Sequence, residues 1–138
     1  MNKILLASHG PLATAMKAAA ELFTGPTDRI ESICAYVDEA SMDVGVLIDA
    51  WLASRHVNDR WVVITDIFGG SVNNEFMVRM ADGGFMLIAG MNLGLVIELV
   101  CGLDRLSLEN VEQSVEQSRA GIVFCNNLAT AGGEDEEF

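Results

Sequence analysis

The chain is poor in positive charge, cysteine and proline, and no unbroken apolar run in it is long enough to cross a bilayer. Only eight Lys and Arg stand against 20 Asp and Glu, giving a formal charge of −12. Nucleic-acid binding depends on neutralising phosphates with basic side chains, and anionic lipid surfaces attract basic segments. Both partners are excluded. Three cysteines, Cys34, Cys101 and Cys125, are too few and too scattered for a disulfide framework or a zinc site. Each lies in an apolar run, which predicts buried free thiols in a reducing compartment. With two prolines and no low-complexity stretch there is no candidate linker, so 138 residues read as a single domain. Residues 85–103 come nearest to a membrane span, but Gly90-Met91-Asn92 interrupts them. A mid-span Glu98 would cost about 2.5–3.5 kcal/mol, so a strand followed by a helix fits better. No targeting segment is visible in the first residues. The expectation is a cytoplasmic protein without direct membrane insertion.

What is present is a core. Hydrophobic residues make up 51% of the chain and charged ones 20%, a balance that excludes intrinsic disorder. Short apolar runs alternate with helical patterns. Strands are expected at residues 3–8, 30–36, 61–65, 85–89 and, briefly, 122–124. Helices are expected at 12–23, from Ser41 as cap to 54, from Ser71 as cap over 72–80, at 93–102, and from Ser107 as cap to 120. Domain 1–125 is followed by an acidic segment, 126–138, expected to be a flexible tail. A β-α-β-α series specifies a three-layer α/β sandwich of the doubly wound, flavodoxin-like kind, with a mostly parallel sheet and helices on both faces. In such sheets the site lies beyond the carboxyl ends of the strands. That selects Ser8-His9-Gly10, Asp66 to Ser71, and Gly90-Met91-Asn92.

His9 follows a buried strand, and Gly10 lets the backbone approach a ligand. Imidazole is nucleophilic near neutral pH and forms covalent intermediates; a histidine that only hydrogen-bonds at the strand end is the plain alternative. Asp66 ends the third strand, where a carboxylate could fix the His9 tautomer; otherwise it tightens the following loop. Gly69, Gly70 and Ser71 open a helix and could cradle a phosphate, or form an ordinary turn with a cap. A Walker loop and a Gly-x-Gly-x-x-Gly fingerprint are both missing. His56 reads as surface chemistry or helix capping. No metal or cofactor is required by these residues.

Taken together, Ser8-His9-Gly10-Pro11-Leu12-Ala13, Asp66-Ile67-Phe68-Gly69-Gly70-Ser71 with Asn74, and Ala89-Gly90-Met91-Asn92 resemble the IIA domain of the mannose family of the bacterial sugar phosphotransferase system (PTS). The resemblance spans about residues 3–120. It implies that His9 accepts a phosphoryl group from HPr and passes it to a IIB component, with membrane IIC and IID components engaged indirectly. It also implies Asp66 as the residue orienting His9, Gly10, Gly69, Gly70 and Ser71 near the phosphate, and a homodimer that exchanges its last strand. Val72 and Gly94 stand where that family places proline, loosening two loops. Without an Ala/Pro-rich extension into a IIB domain, the expectation is a free-standing IIA protein. Two alternatives remain open at this point: a phosphotransfer subunit feeding dihydroxyacetone kinase, and a regulatory module that senses phosphorylation. A flavin protein is disfavoured because the first loop lacks a Ser/Thr-rich cradle.

Overall fold

A computed structural model describes residues 1–132, with side chains through residue 128. In chain order the elements are β1 (Asn2–His9), α1 (Leu12–Thr24), β2 (Ile30–Ala35), α2 (Val44–Ser54) and β3 (Arg60–Thr65). There follow α3 (Ser71–Met77), α4 (Met80–Gly83), β4 (Phe85–Ala89), α5 (Leu93–Cys101), α6 (Leu108–Ala120) and α7 (Cys125–Gly132). The four strands form one parallel sheet in the order β2-β1-β3-β4.

Strand alternation divides the core into two layers. Ile4 and Leu6 of β1 and Val62 and Ile64 of β3 face one side, against Ala13, Ala20, Leu95, Leu99 and Val111 from α1, α5 and α6. Leu5, Ala7, Trp61 and Val63 face the other, against Ile48, Trp51, Val72 and Phe76 from α2 and α3. Each fully buried aliphatic side chain is worth roughly 1.5–3 kcal/mol. Both faces of β1 and β3 are therefore apolar, as befits strands covered on each side.

Three expectations are corrected. Residues 122–124 form no strand; they are an exposed bend between α6 and α7. Three apolar residues after Gly121 carry too little periodicity to separate strand from connector. The segment expected to be tail from residue 126 begins instead as α7, and residues 133–138 lie outside the described residues. The cysteines are not buried: Cys34 is half-buried, and Cys101 and Cys125 are exposed.

Caps differ in detail. Asp43, not Ser41, caps α2 by accepting from the Val46 amide, while Ser41 closes a short 3-10 turn with Asp38. Gly70 precedes α3 without a side-chain cap, which frees the Ser71 hydroxyl. Ser107 caps α6 as expected. The two positions lacking proline are held by other means: Val72 is buried in the core, and the Asn92 side chain accepts from the Leu95 amide at the start of α5.

The sheet order sets the position of the site. From β1 the chain moves outward to β2, then returns to place β3 on the other side of β1. The connections after β1 and β3 therefore diverge, and a crevice opens at their carboxyl ends.

Candidate functional site

His9 is the last residue of β1, and Asp66 directly follows β3. Register brings them together, because Ala7 pairs with Thr65 across the two strands. The carboxylate then receives three donors. The His9 amide reaches Asp66 Oδ2 at 2.7 Å and His9 Nδ1 reaches the same oxygen at 2.8 Å. The Ile67 amide donates to Oδ1 at 2.9 Å. Partial burial pushes the Asp66 carboxyl up, but the His9 amide, the His9 ring and the Ile67 amide together outweigh it. They hold Asp66 below the ordinary carboxylate range. An ionised carboxylate only accepts, so Nδ1 carries the ring proton and Nε2 keeps its lone pair.

Nε2 faces Ser71 Oγ at 3.2 Å. The His9 side chain is 41% exposed and that of Asp66 only 10%. The His9 ring is thus partly exposed while the carboxylate it bonds to is sheltered. Gly70 permits this approach: a β-carbon there would lie 3.1 Å from His9 Cε1. Gly10 and Gly69 take positive φ values of 64° and 87°, which a side chain would strain. The amides of Gly10 and Gly70 are already committed, to the carbonyls of Ala35 and Ile67. These glycines shape the crevice, and the Ser71 hydroxyl stands beside it at the start of α3. Asn74 Nδ2 clamps the loop through the Gly69 carbonyl at 3.1 Å.

Two contributors carried no signal of their role. Ser8 is fully buried; its Oγ accepts from the Ala13 amide at 2.7 Å and donates to the Gly10 carbonyl, fixing the turn after His9. Tyr36 lies at the end of β2 with its ring centroid 5.5 Å from that of His9. Its hydroxyl is 2.8 Å from Ser71 Oγ. Register pairs His9 with Ala35, so the residue after β2 had to approach the site. His56 is elsewhere. It precedes β3 at the opposite end of the sheet, exposed, where its Nδ1 accepts from the Asn58 amide.

The arrangement suits acceptance of an electrophile at Nε2. Asp66 stabilises the positive ring that results, and a hydroxyl is ready for the incoming group. Among the described residues, no cluster of three His, Cys, Asp or Glu side chains could hold a metal ion. None of the described helices is long and apolar enough to cross a membrane.

Comparison with known proteins identifies the family. Residues 3–116 match the family model for the PTS system fructose IIA component, EIIA-man. A Klebsiella pneumoniae structure assigned to a phosphoenolpyruvate-dependent sugar PTS permease is 34% identical, with a TM-score of 0.84 over 91% of each chain. At 24% identity, the PTS IIA protein associated with the fucose utilization operon of Streptococcus pneumoniae superposes with a TM-score of 0.76, covering 92% of this chain and 95% of its own. The mannose/sorbose specific IIA subunit of Enterococcus faecalis, at 23% identity, gives 0.68 over 88% and 92%; these last two bear on fold alone. No curated protein matches. The chain belongs to the EIIA-man family of PTS IIA components, and its role is that of a phosphocarrier in sugar uptake.

Proposed function

We propose that His9 Nε2 is the atom that carries the phosphoryl group, received from HPr and delivered to a IIB component. The observation that carries this reading is the tautomer imposed by Asp66, which leaves Nε2 of the partly exposed ring as the nitrogen with a lone pair. In loading, that lone pair attacks the phosphorus of the donor phosphohistidine. The donor P–N bond breaks, its electron pair returns to the donor ring, and an Nε2–P bond forms. His9 then bears positive charge, stabilised by Asp66 through Nδ1–H. Unloading onto IIB runs the same exchange outward.

A net charge of −12 repels small phosphorylated anions, which favours delivery by a docked protein. Exposed Leu12 at the start of α1, with Val37, Ile67 and Phe68 on the loops after β2 and β3, offers such a partner an uncharged rim. The family model and the 34% identical Klebsiella pneumoniae relative concern sugar PTS components, which does not favour the dihydroxyacetone kinase alternative. We place the protein in the cytoplasm, where these partners act.

The same reading includes a homodimer. β4 is an outer strand with one edge unpaired. Beside it runs a groove of about 480 Å³ whose apolar wall includes Phe85, Leu87, Leu108 and Val115. Ile122, Val123 and Phe124 are exposed and non-helical, so a second copy could supply them to this edge. Light scattering should give twice the 14.9 kDa of one chain, and a monomer at every concentration would refute this part.

The central test is labelling from phosphorylated HPr. His9→Ala should take up no phosphate and His56→Ala should behave as wild type. Asp66→Asn should slow uptake by about 10²–10⁴-fold while leaving His9 as the labelled residue. The label should be lost in acid and kept in base. Wild-type uptake by His9→Ala would sink the proposal, and uptake without transfer to any IIB protein would favour the regulatory alternative.

A further inference from the structure

The Tyr36 hydroxyl completes a chain of hydrogen bonds whose direction is fixed by proton counting. Asp66, as an ionised acceptor, accepts a hydrogen bond from His9 Nδ1–H. Nε2 must then accept, and the hydroxyl within reach is that of Ser71 at 3.2 Å. Ser71 has one proton and spends it on Nε2. The 2.8 Å contact between Ser71 Oγ and Tyr36 Oη therefore has the phenol as donor. The order is Tyr36 to Ser71 to His9 to Asp66.

The backbone makes a special arrangement for this tyrosine. Tyr36 has φ +66°, and it is the one described non-glycine residue with positive φ, a conformation rare for such side chains. The turn after it is tightly determined. The Tyr36 amide donates to the Ser41 carbonyl at 2.9 Å. The buried Ser41 Oγ accepts from the amides of Val37 and Asp38, and the Asp38 carboxylate accepts from the Ser41 amide. Strain held this firmly next to a reactive group points to a role in the site.

From this geometry we propose that Tyr36 is a positioning residue for phosphoryl transfer, holding Ser71 Oγ so that its proton faces Nε2 before loading and a phosphoryl oxygen after it. The proposal rests on the phosphocarrier reading. As phosphorus reaches Nε2, the Ser71 proton must leave the lone pair it occupies. With Oγ anchored by Tyr36, a rotation about Cβ–Oγ accomplishes this, and the whole side chain need not swing. Without the anchor, Ser71 must be ordered during the step itself.

The test is a double-mutant cycle using Tyr36→Phe, Ser71→Ala and both together. Phe keeps the ring and the fold and removes only the hydroxyl. Tyr36→Phe should slow uptake from phosphorylated HPr by about 3- to 10-fold, the worth of one hydrogen bond. It should have no further effect once Ser71 is Ala. In the unphosphorylated protein, the ¹⁵N resonance of His9 Nε2 should move in Tyr36→Phe toward its position in Ser71→Ala. A wild-type rate in Tyr36→Phe, or an equal loss in the Ser71→Ala background, overturns the proposal. Should the wild-type chain take up no label, the phosphocarrier reading fails and the nitrogen resonance alone decides. Movement that requires Ser71 would then uphold the anchor, and an unmoved resonance would end it.

Discussion

Gly70→Ala should separate activity from stability. A β-carbon at residue 70 would meet Ile67 Cγ2 at 2.8 Å, His9 Cε1 at 3.1 Å and the Ile67 carbonyl at 3.4 Å. The backbone at Gly70, φ −75° and ψ 167°, is open to any residue, so no conformational strain arises. Ile67 is exposed and its tip can turn into solvent. His9 cannot move so freely, because Asp66 holds one ring nitrogen at 2.8 Å and Ser71 the other at 3.2 Å. Relief of the contact must loosen one of these bonds by a few tenths of an ångström. A misplacement of a full ångström costs about 100-fold in rate, so roughly a 10-fold loss is expected here. Stability should stay within about 1 kcal/mol, since the change also removes glycine's freedom from the unfolded chain. Gly69→Ala is the contrasting control. Nothing lies within 4 Å of its β-carbon, but its φ of +87° would be strained, at about 1–2 kcal/mol. Initial rates of label uptake and urea midpoints should be read on the same samples. A wild-type rate in Gly70→Ala, or a loss matching only its unfolded fraction, would refute the reasoning.

Thr65→Val should destabilise the fold by about 1–3 kcal/mol, because the buried Asn73 Oδ1 accepts from Thr65 Oγ1 at 2.7 Å; urea unfolding checks this. Phe76 is fully buried between Trp51 and Phe85, so Phe76→Ala should cost about 3–5 kcal/mol in the same assay. The depressed Asp66 carboxyl stabilises the folded chain above its unfolded value near pH ~3.9, and the benefit fades as pH falls through the lower folded value. The stability gap between wild type and Asp66→Asn should therefore close as pH falls below ~4. A gap that narrows near neutrality would contradict that assignment.

Much of the fold was legible because β1 and β3 are apolar on both faces and the flanking helices carry their apolar residues at helical spacing. His9 and Asp66 were legible as a pair because both stand just where a buried strand ends. Tyr36 was not. Its value lies in a positive φ that residue type does not announce, and in a phenol that reaches a serine from another loop. Ser71 was expected both to cap α3 and to stand near a phosphate; Gly70 takes the cap position and the Ser71 hydroxyl turns to His9. The bend at 122–124 failed for another reason: its apolar residues face solvent, a fact that depends on what else covers them. Cys101 misled similarly, since an apolar run at the end of a helix still exposes one side.

The partners within the site are remote along the chain. Asp66 is 57 positions from His9, and Ser71 is 62. They meet only if β1 and β3 align as observed, Ala7 opposite Thr65. A slip of one residue would turn Asp66 to the opposite face of the sheet and strip Nδ1 of its acceptor. Phosphate incorporation on His9 then works as a census of correctly registered molecules. A trapped folding intermediate, or a chain mended from fragments in the wrong alignment, could look compact and helical yet stay unlabelled. In refolding experiments, the kinetics of regained labelling should track the latest long-range pairing of the sheet rather than the earliest helices.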